Sequence, residues 1–164
     1  MVDWSDADID QLLRCRKSIQ DAPRREMKDE NRHRRNDMRL RGPEGEQFDV
    51  FIRQSLEFLE DFSIGLVFIA PEGKRVTLVR FNGQHEQAVD PFQAGIPHFN
   101  FHVHKATSDN LNMGRYEKHP ADTTQDYASL DEAIVVFCKY VCIQGWERHF
   151  PDTRVIPLFP ELAP

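Results

Sequence analysis

The sequence predicts an α+β fold: an antiparallel sheet of about four strands, with an N-terminal helix and a C-terminal helix packed on it. Three observations lead there. Residues 62–70 and 76–81 form two β-prone apolar runs joined by Pro71-Glu72-Gly73, the signature of a hairpin. Residues 47–54 and 98–105 alternate apolar with polar side chains, as half-buried strands do. Both chain ends carry helical spacing behind a capping residue instead.

Taken in order, residues 5–19 read as the first helix. Ser5 is a good N-cap, Asp6 and Asp8 put negative charge in the first turn, and Ile9, Leu12, Leu13 and Ile19 share a face. The next stretch, 21–42, holds eight basic residues against five acidic ones, a surplus of about +3 that leaves about −9 for the rest. With few apolar residues, it reads as a solvated helix or a mobile arm ended by Gly42-Pro43. Residues 21–46 are thus a charged arm or linker within a single domain, 1–164. In 47–54, Phe48, Val50 and Ile52 share a face; 62–70, apolar on both parities, reads as a central strand. After Asn82-Gly83, the elements Asp90-Pro91, Gly95 and Pro97 mark an irregular loop. Residues 106–127 are polar and turn-rich. Ser129, with Glu132 three residues on, caps the second helix, whose buried stripe is Ala133, Ile134, Phe137, Cys138 and Val141, with Gly145 as a stop. Prolines confine the tail 153–164 to an extended edge piece.

Composition bounds the function. A chain of 164 residues with 40% apolar and 29% charged residues suits one globular domain with its own core. The net charge of −6 excludes a broadly basic, duplex-coating surface. No run has the length of a membrane span and the N-terminus lacks a signal pattern, so no membrane partner is expected. Three cysteines (Cys15, Cys138 and Cys142), an odd number, read as reduced thiols of a cytoplasmic protein. Phosphate-cradling glycine loops, nucleophile elbows and His-Glu-x-x-His helices are missing, so no cofactor is named.

Chemistry concentrates in the histidine segment. Alternation puts Phe99, Phe101 and Val103 on one face and His98, Asn100, His102 and His104 on the other. His102 and His104, about 6.6 Å apart, can converge on one ion, whereas His98, about 13 Å from His102 along an extended strand, cannot. A metal at His102 and His104 therefore needs a third ligand, with His85, Asp90 or His119 as candidates. Without metal, the same imidazoles can act as base and acid in phosphodiester cleavage. Arg80 or Arg115 would then hold the phosphate, Asn100 would orient it, and Tyr116 or Tyr127 would stack or donate a proton. A third reading makes the row the solvent face of an edge strand. The basic residues between Arg24 and Arg41 can contact RNA, or pair with their own acids along a helix, for instance Glu30 with Arg34.

Several short motifs, Val79-Arg80-Phe81-Asn82-Gly83, His85, His102-Val103-His104-Lys105-Ala106-Thr107 and 127–133, resemble small bacterial proteins loosely similar to TumE-like toxins of toxin–antitoxin pairs. The resemblance covers about residues 48–143 and leaves out the charged segment and the tail. It implies Arg80, His85, His102 and His104 as shared polar positions, in a protein carried by a toxin–antitoxin pair or a mobile element. The expectation is thus a cytoplasmic bacterial protein with a His-x-His site for RNA phosphodiester cleavage or ion binding, with catalytic candidates His102, His104, His85 and Arg80. The competing class is a non-enzymatic module of immunity or antitoxin type that docks a protein partner.

Overall fold

A computed structural model describes residues 3–85, 96–115 and 119–150. It corrects the expected architecture. In place of four strands between two helices there is a nine-stranded curled sheet with three short helices among the described residues. In chain order these are α1 (Asp6–Arg14), β1 (Lys17–Asp21), β2 (Lys28–Glu30), β3 (His33–Arg41), β4 (Gln47–Ser55), β5 (Phe62–Ile69), β6 (Arg75–Asn82), β7 (His102–Lys105), α2 (Ser108–Asn112), β8 (Ala121–Thr123), α3 (Leu130–Tyr140) and β9 (Ile143–Gln144). The sheet runs β8-β7-β6-β5-β4-β3-β1-β9, with β2 also paired to β3. Only the β1/β9 pair is parallel.

The largest correction concerns residues 21–46. They form neither a helix nor a mobile arm: β3 pairs with β4 along its whole length. The reason is period. Asn36, Met38 and Leu40 are buried, while Arg35, Asp37, Arg39 and Arg41 face outward. A strand needs only every second residue to be apolar, so a high charge count does not forbid one. Asn36 also ties down the chain before it, with Oδ1 accepting from Arg24 N (2.9 Å) and Nδ2 donating to Arg24 O (2.9 Å). Glu30 meets Lys28 (3.7 Å) along its own strand rather than the expected Arg34.

The first helix is shorter than expected. Ser5 accepts from Asp8 N (3.1 Å) while Asp8 accepts from Ser5 N (3.0 Å), a capping box closed by aspartate. The helix stops at Arg14 because Lys17 enters β1. Ser129 caps α3 as expected, but Glu132 reaches back to Ala128 N (2.8 Å) rather than to the cap itself. Cys142 lies beyond the helix at positive φ, so it does not share a helical face with Cys138. The tail 153–164 falls outside the described residues.

The register gives the sheet two unlike faces. One carries the rows Leu40–Phe48–Phe68–Val76 and Met38–Val50–Leu66–Val79, continued by Ile52–Ile64–Phe81–Val103. Helix α3 covers this face, with Phe137 edge-on to Phe81 (5.4 Å) and Tyr127 stacked on the same ring (5.5 Å). The other carries Arg35–Arg53–Ser63–Asn82–His102–Thr123, and beside it Asp37–Phe51–Gly65–Arg80–His104–Ala121. A bulge in β6 decides this. Leu66 pairs with Val79 but Val67 with Thr77, so Leu78 is an extra residue. Val76, Leu78 and Val79 are all buried as a result, and Arg80 and Asn82 turn to the polar face opposite His104 and His102.

Lys17 locks helices to sheet. It is fully buried, and its ammonium donates to Leu13 O, Cys15 O and Val141 O, each at 2.9 Å. Those carbonyls lie at the C-terminal ends of α1 and α3, where orphan acceptors and negative dipole charge collect. The Phe48 ring lies 4.8 Å below the charge. Burial pulls the Lys17 pKa below its ordinary value, yet all three donors are used. Lys17→Met keeps the volume and removes the donors, so urea unfolding should show a loss of about 2–3 kcal/mol. An unchanged midpoint would mean that the ammonium is dispensable.

Candidate metal centre

Three histidines converge where β6 and β7 leave the sheet. His85 N donates to His98 O (3.0 Å), which closes the base of the segment between them. The ring centroids of His85, His98 and His102 lie 5.3–5.6 Å apart. One ring nitrogen from each falls within 4.8 Å of the others. A tetrahedral ion with bonds of about 2.0–2.1 Å needs nitrogens about 3.3 Å apart, a spacing inside that limit.

Each orienting contact belongs to the fold. His102 is fully buried, and its Nδ1–H donates to Asn100 O (2.8 Å), which leaves the Nε2 lone pair buried and unpartnered. His85 Nδ1 contacts the Asp61 carboxylate (3.0 Å). Asp61 itself is fixed in the β4–β5 turn by its carbonyl, which accepts from Ser55 N (2.8 Å). A carboxylate or carbonyl behind an imidazole fixes tautomer and ring orientation, as metal-ligating histidines require. Tyr127 braces the seam: its hydroxyl lies 3.0 Å from Asn82 O and 2.9 Å from His102 O. Burial drives that phenol's pKa well above its ordinary value, and its hydroxyl is engaged by the two carbonyls.

The expected and observed sets differ in one instructive place. An extended chain would keep His98 about 13 Å from His102. Pro97–Phe99 is instead a 3-10 turn, and β7 begins only at His102. The turn folds His98 back, with its ring 5.6 Å from that of His102. Pro97, pre-set for the first helical position, is the signal that could have revealed this. His85, one of the three candidate third ligands, stands beside His102, whereas His104 is not in the trio. Its ring sits 5.0 Å from that of His102, and its Nδ1–H donates to His119 O (2.8 Å) as that of His102 does to Asn100 O.

His119, one of the candidate third ligands, is 7% exposed and donates Nε2–H to Thr77 O (3.0 Å), pinning its segment to β6. Arg80 lies directly opposite His104 and lines a 160 Å³ cavity with Phe51, Thr77, His104 and His119. Asn100 spends its side-chain amide on Ile96 O (3.0 Å), and Arg115 is exposed past α2. Asp90 and Tyr116 fall outside the described residues.

Burial, the largest cause, pulls the His102 pKa down to about 4, and the neighbouring histidines add to the effect. Burial also lowers that of His104, with Arg80 contributing. A larger cleft of about 970 Å³ opens on the same polar face, lined by Arg35, Arg53, Ser63 and Arg80 among others. No helix among the described residues is long and apolar enough to cross a membrane. No protein-family model matches the chain, and no curated protein or solved structure is significantly similar to it.

A histidine whose pKa is lower folded than unfolded stabilises the fold above its unfolded pKa. That stability is lost as pH falls through the folded value. For metal-free protein, the window runs from pH 6.5 down to about 4 and is worth about 2–3 kcal/mol at His102. Urea midpoints across that range should fall in the wild type and flatten in His102→Gln; equal slopes would remove His102 as the cause. Separately, Tyr127→Phe should cost about 1–2 kcal/mol, because a buried carbonyl loses its donor. An unaltered unfolding midpoint would show that the hydroxyl braces nothing.

Proposed function

We propose that this chain binds a divalent transition-metal ion through His85, His98 and His102, with the fourth coordination position open. The reading rests on one ring nitrogen from each of the three histidines lying within 4.8 Å of the others, and beside it on the buried, unpartnered Nε2 of His102. A neutral imidazole with its Nδ1–H engaged is a ready-made ligand and a poor acid. Three histidines and no thiolate suit zinc and its borderline neighbours better than magnesium or calcium, which take oxygen. A three-ligand set is the form in which an ion keeps a place for water or substrate.

Burial also bears on the other reading of the same residues. Cleavage by an acid–base histidine pair needs one protonated imidazole near neutrality. Both His102 and His104 are pushed toward the neutral form, which favours ligand over acid.

Calorimetric titration of metal-free protein with Zn²⁺ tests the proposal. One ion should bind per chain, and His98→Ala should weaken binding by about 100-fold, whereas His104→Ala should change it less than about threefold. Asp61→Asn should cost about tenfold through the orientation of His85. Equal affinity in His98→Ala and wild type would overturn the site.

A further inference from the structure

The two segments that Lys17 ties together each carry a cysteine. Cys15 is the C-cap of α1, and Cys142 is the last residue before β9. Lys17 holds both backbones: its ammonium donates to Cys15 O (2.9 Å), and its own N–H donates to Cys142 O (2.9 Å). The parallel β1/β9 pair then sets their spacing. Lys17 stands beside Ile143, so Cys142 lies one residue before that pair and Cys15 two residues before it. Cys15 itself is extended, with φ −59° and ψ 142°. With strands about 4.8 Å apart and a rise of about 3.3 Å per residue, the two Cα atoms come within about 6 Å of each other. Disulfides bridge Cα separations of about 4.4–6.8 Å.

Both thiols are partly exposed, whereas Cys138 is fully buried and its thiol is pushed up to about 12 by burial. The Cys15 Sγ–H donates weakly to Leu12 O (3.4 Å), and burial raises this thiol too, against the opposing pull of the Lys17 ammonium. Cys142 lines a cavity of about 360 Å³ whose charged residues are Arg14, Arg16 and Lys139 against Glu147 alone. An electropositive, partly exposed setting is that of reactive cysteines. Cys142 also sits at φ 57°. Glycine or asparagine suits that left-handed position better than cysteine, so the turn alone does not explain the residue.

We propose that Cys15 and Cys142 form a reversible disulfide, made by exchange with a small anionic disulfide of the glutathione class. The Cys142 thiolate attacks one sulfur of that disulfide, which forms a mixed disulfide and releases one glutathione thiolate. Cys15, once deprotonated, attacks Cys142 Sγ, which closes the protein disulfide and releases the second glutathione. Two protein thiols are oxidised, one external disulfide is reduced to two thiols, and the two protons pass to the released thiolates. Arg14 and Arg16 suit the carboxylates of the incoming peptide. The bond covalently joins the end of α1 to the start of β9, the junction that Lys17 holds by hydrogen bonds, and it is independent of the histidine trio.

The full chain is equilibrated in glutathione buffers of rising oxidised fraction, quenched by alkylation in urea, and read by intact mass and peptide mapping. Oxidised wild type should carry one alkyl group, on Cys138, with a peptide linking Cys15 to Cys142 and no retained glutathione. Cys15→Ser should stop at a glutathione adduct on Cys142, and Cys142→Ser should react at least about tenfold more slowly than wild type, because the attacking thiol is gone. The oxidised protein should also unfold at a higher urea concentration than the reduced one, since the bond closes a long loop in the unfolded chain. The wild-type mapping needs no variant to fold. Three alkylated cysteines in the most oxidising buffer, a lasting glutathione adduct on wild-type Cys142, or a disulfide between two chains would each overturn the pair. So would equal rates in Cys142→Ser and wild type, or an oxidised urea midpoint no higher than the reduced one.

Discussion

A buried backbone carbonyl must find a donor, and in this chain side chains supply many of them. Lys17 serves the ends of α1 and α3, Tyr127 the facing carbonyls of β6 and β7, His119 a carbonyl of β6, and His104 the carbonyl of His119. His102 does the same for Asn100. Each contact closes a gap that a curled sheet with short edge strands leaves open, and each fixes a polar side chain in the interior. For the histidines the consequence is chemical. At His102 and His104, Nδ1–H is spent on the fold, so Nε2 is left over with its lone pair, buried.

The histidine trio follows from that constraint together with two irregularities of backbone. The bulge in β6 transfers Arg80 and Asn82 to the polar face. The 3-10 turn at Pro97–Phe99 brings His98 back beside His102. A regular β6 and a straight extension of β7 would leave the three imidazoles apart. Bulges and tight turns of this kind recur where a sheet aims side chains at a ligand.

How far the sequence discloses this depends on which physical signal each element sends. Strands β4, β5 and β6 are legible to within a residue or two, because alternation, an unbroken apolar run and a Pro-Glu-Gly turn all report backbone period directly. Strand β3 has the same alternation, but dense arginine and aspartate on its outer side hide it when composition is weighed before period. The short strands β1, β2, β8 and β9 have no local signature. They exist because partners elsewhere in the chain offer open ladder positions. At the site, His102 and His85 stand out as residue types, and Tyr127 does not, since its importance lies in cross-strand register. His98 is hidden because residues 98–105 read as one straight strand, whereas Pro97 starts a 3-10 turn.

The central claim is that an ion sits among three imidazoles, and X-ray absorption at the zinc edge of the Zn²⁺-loaded protein addresses it most directly. The account predicts nitrogen or oxygen neighbours at about 2.0–2.1 Å, with outer-shell scattering from three imidazole rings and no sulfur. A sulfur shell at about 2.3 Å, which would implicate Cys15 or Cys142, or fewer than two imidazoles, would contradict it.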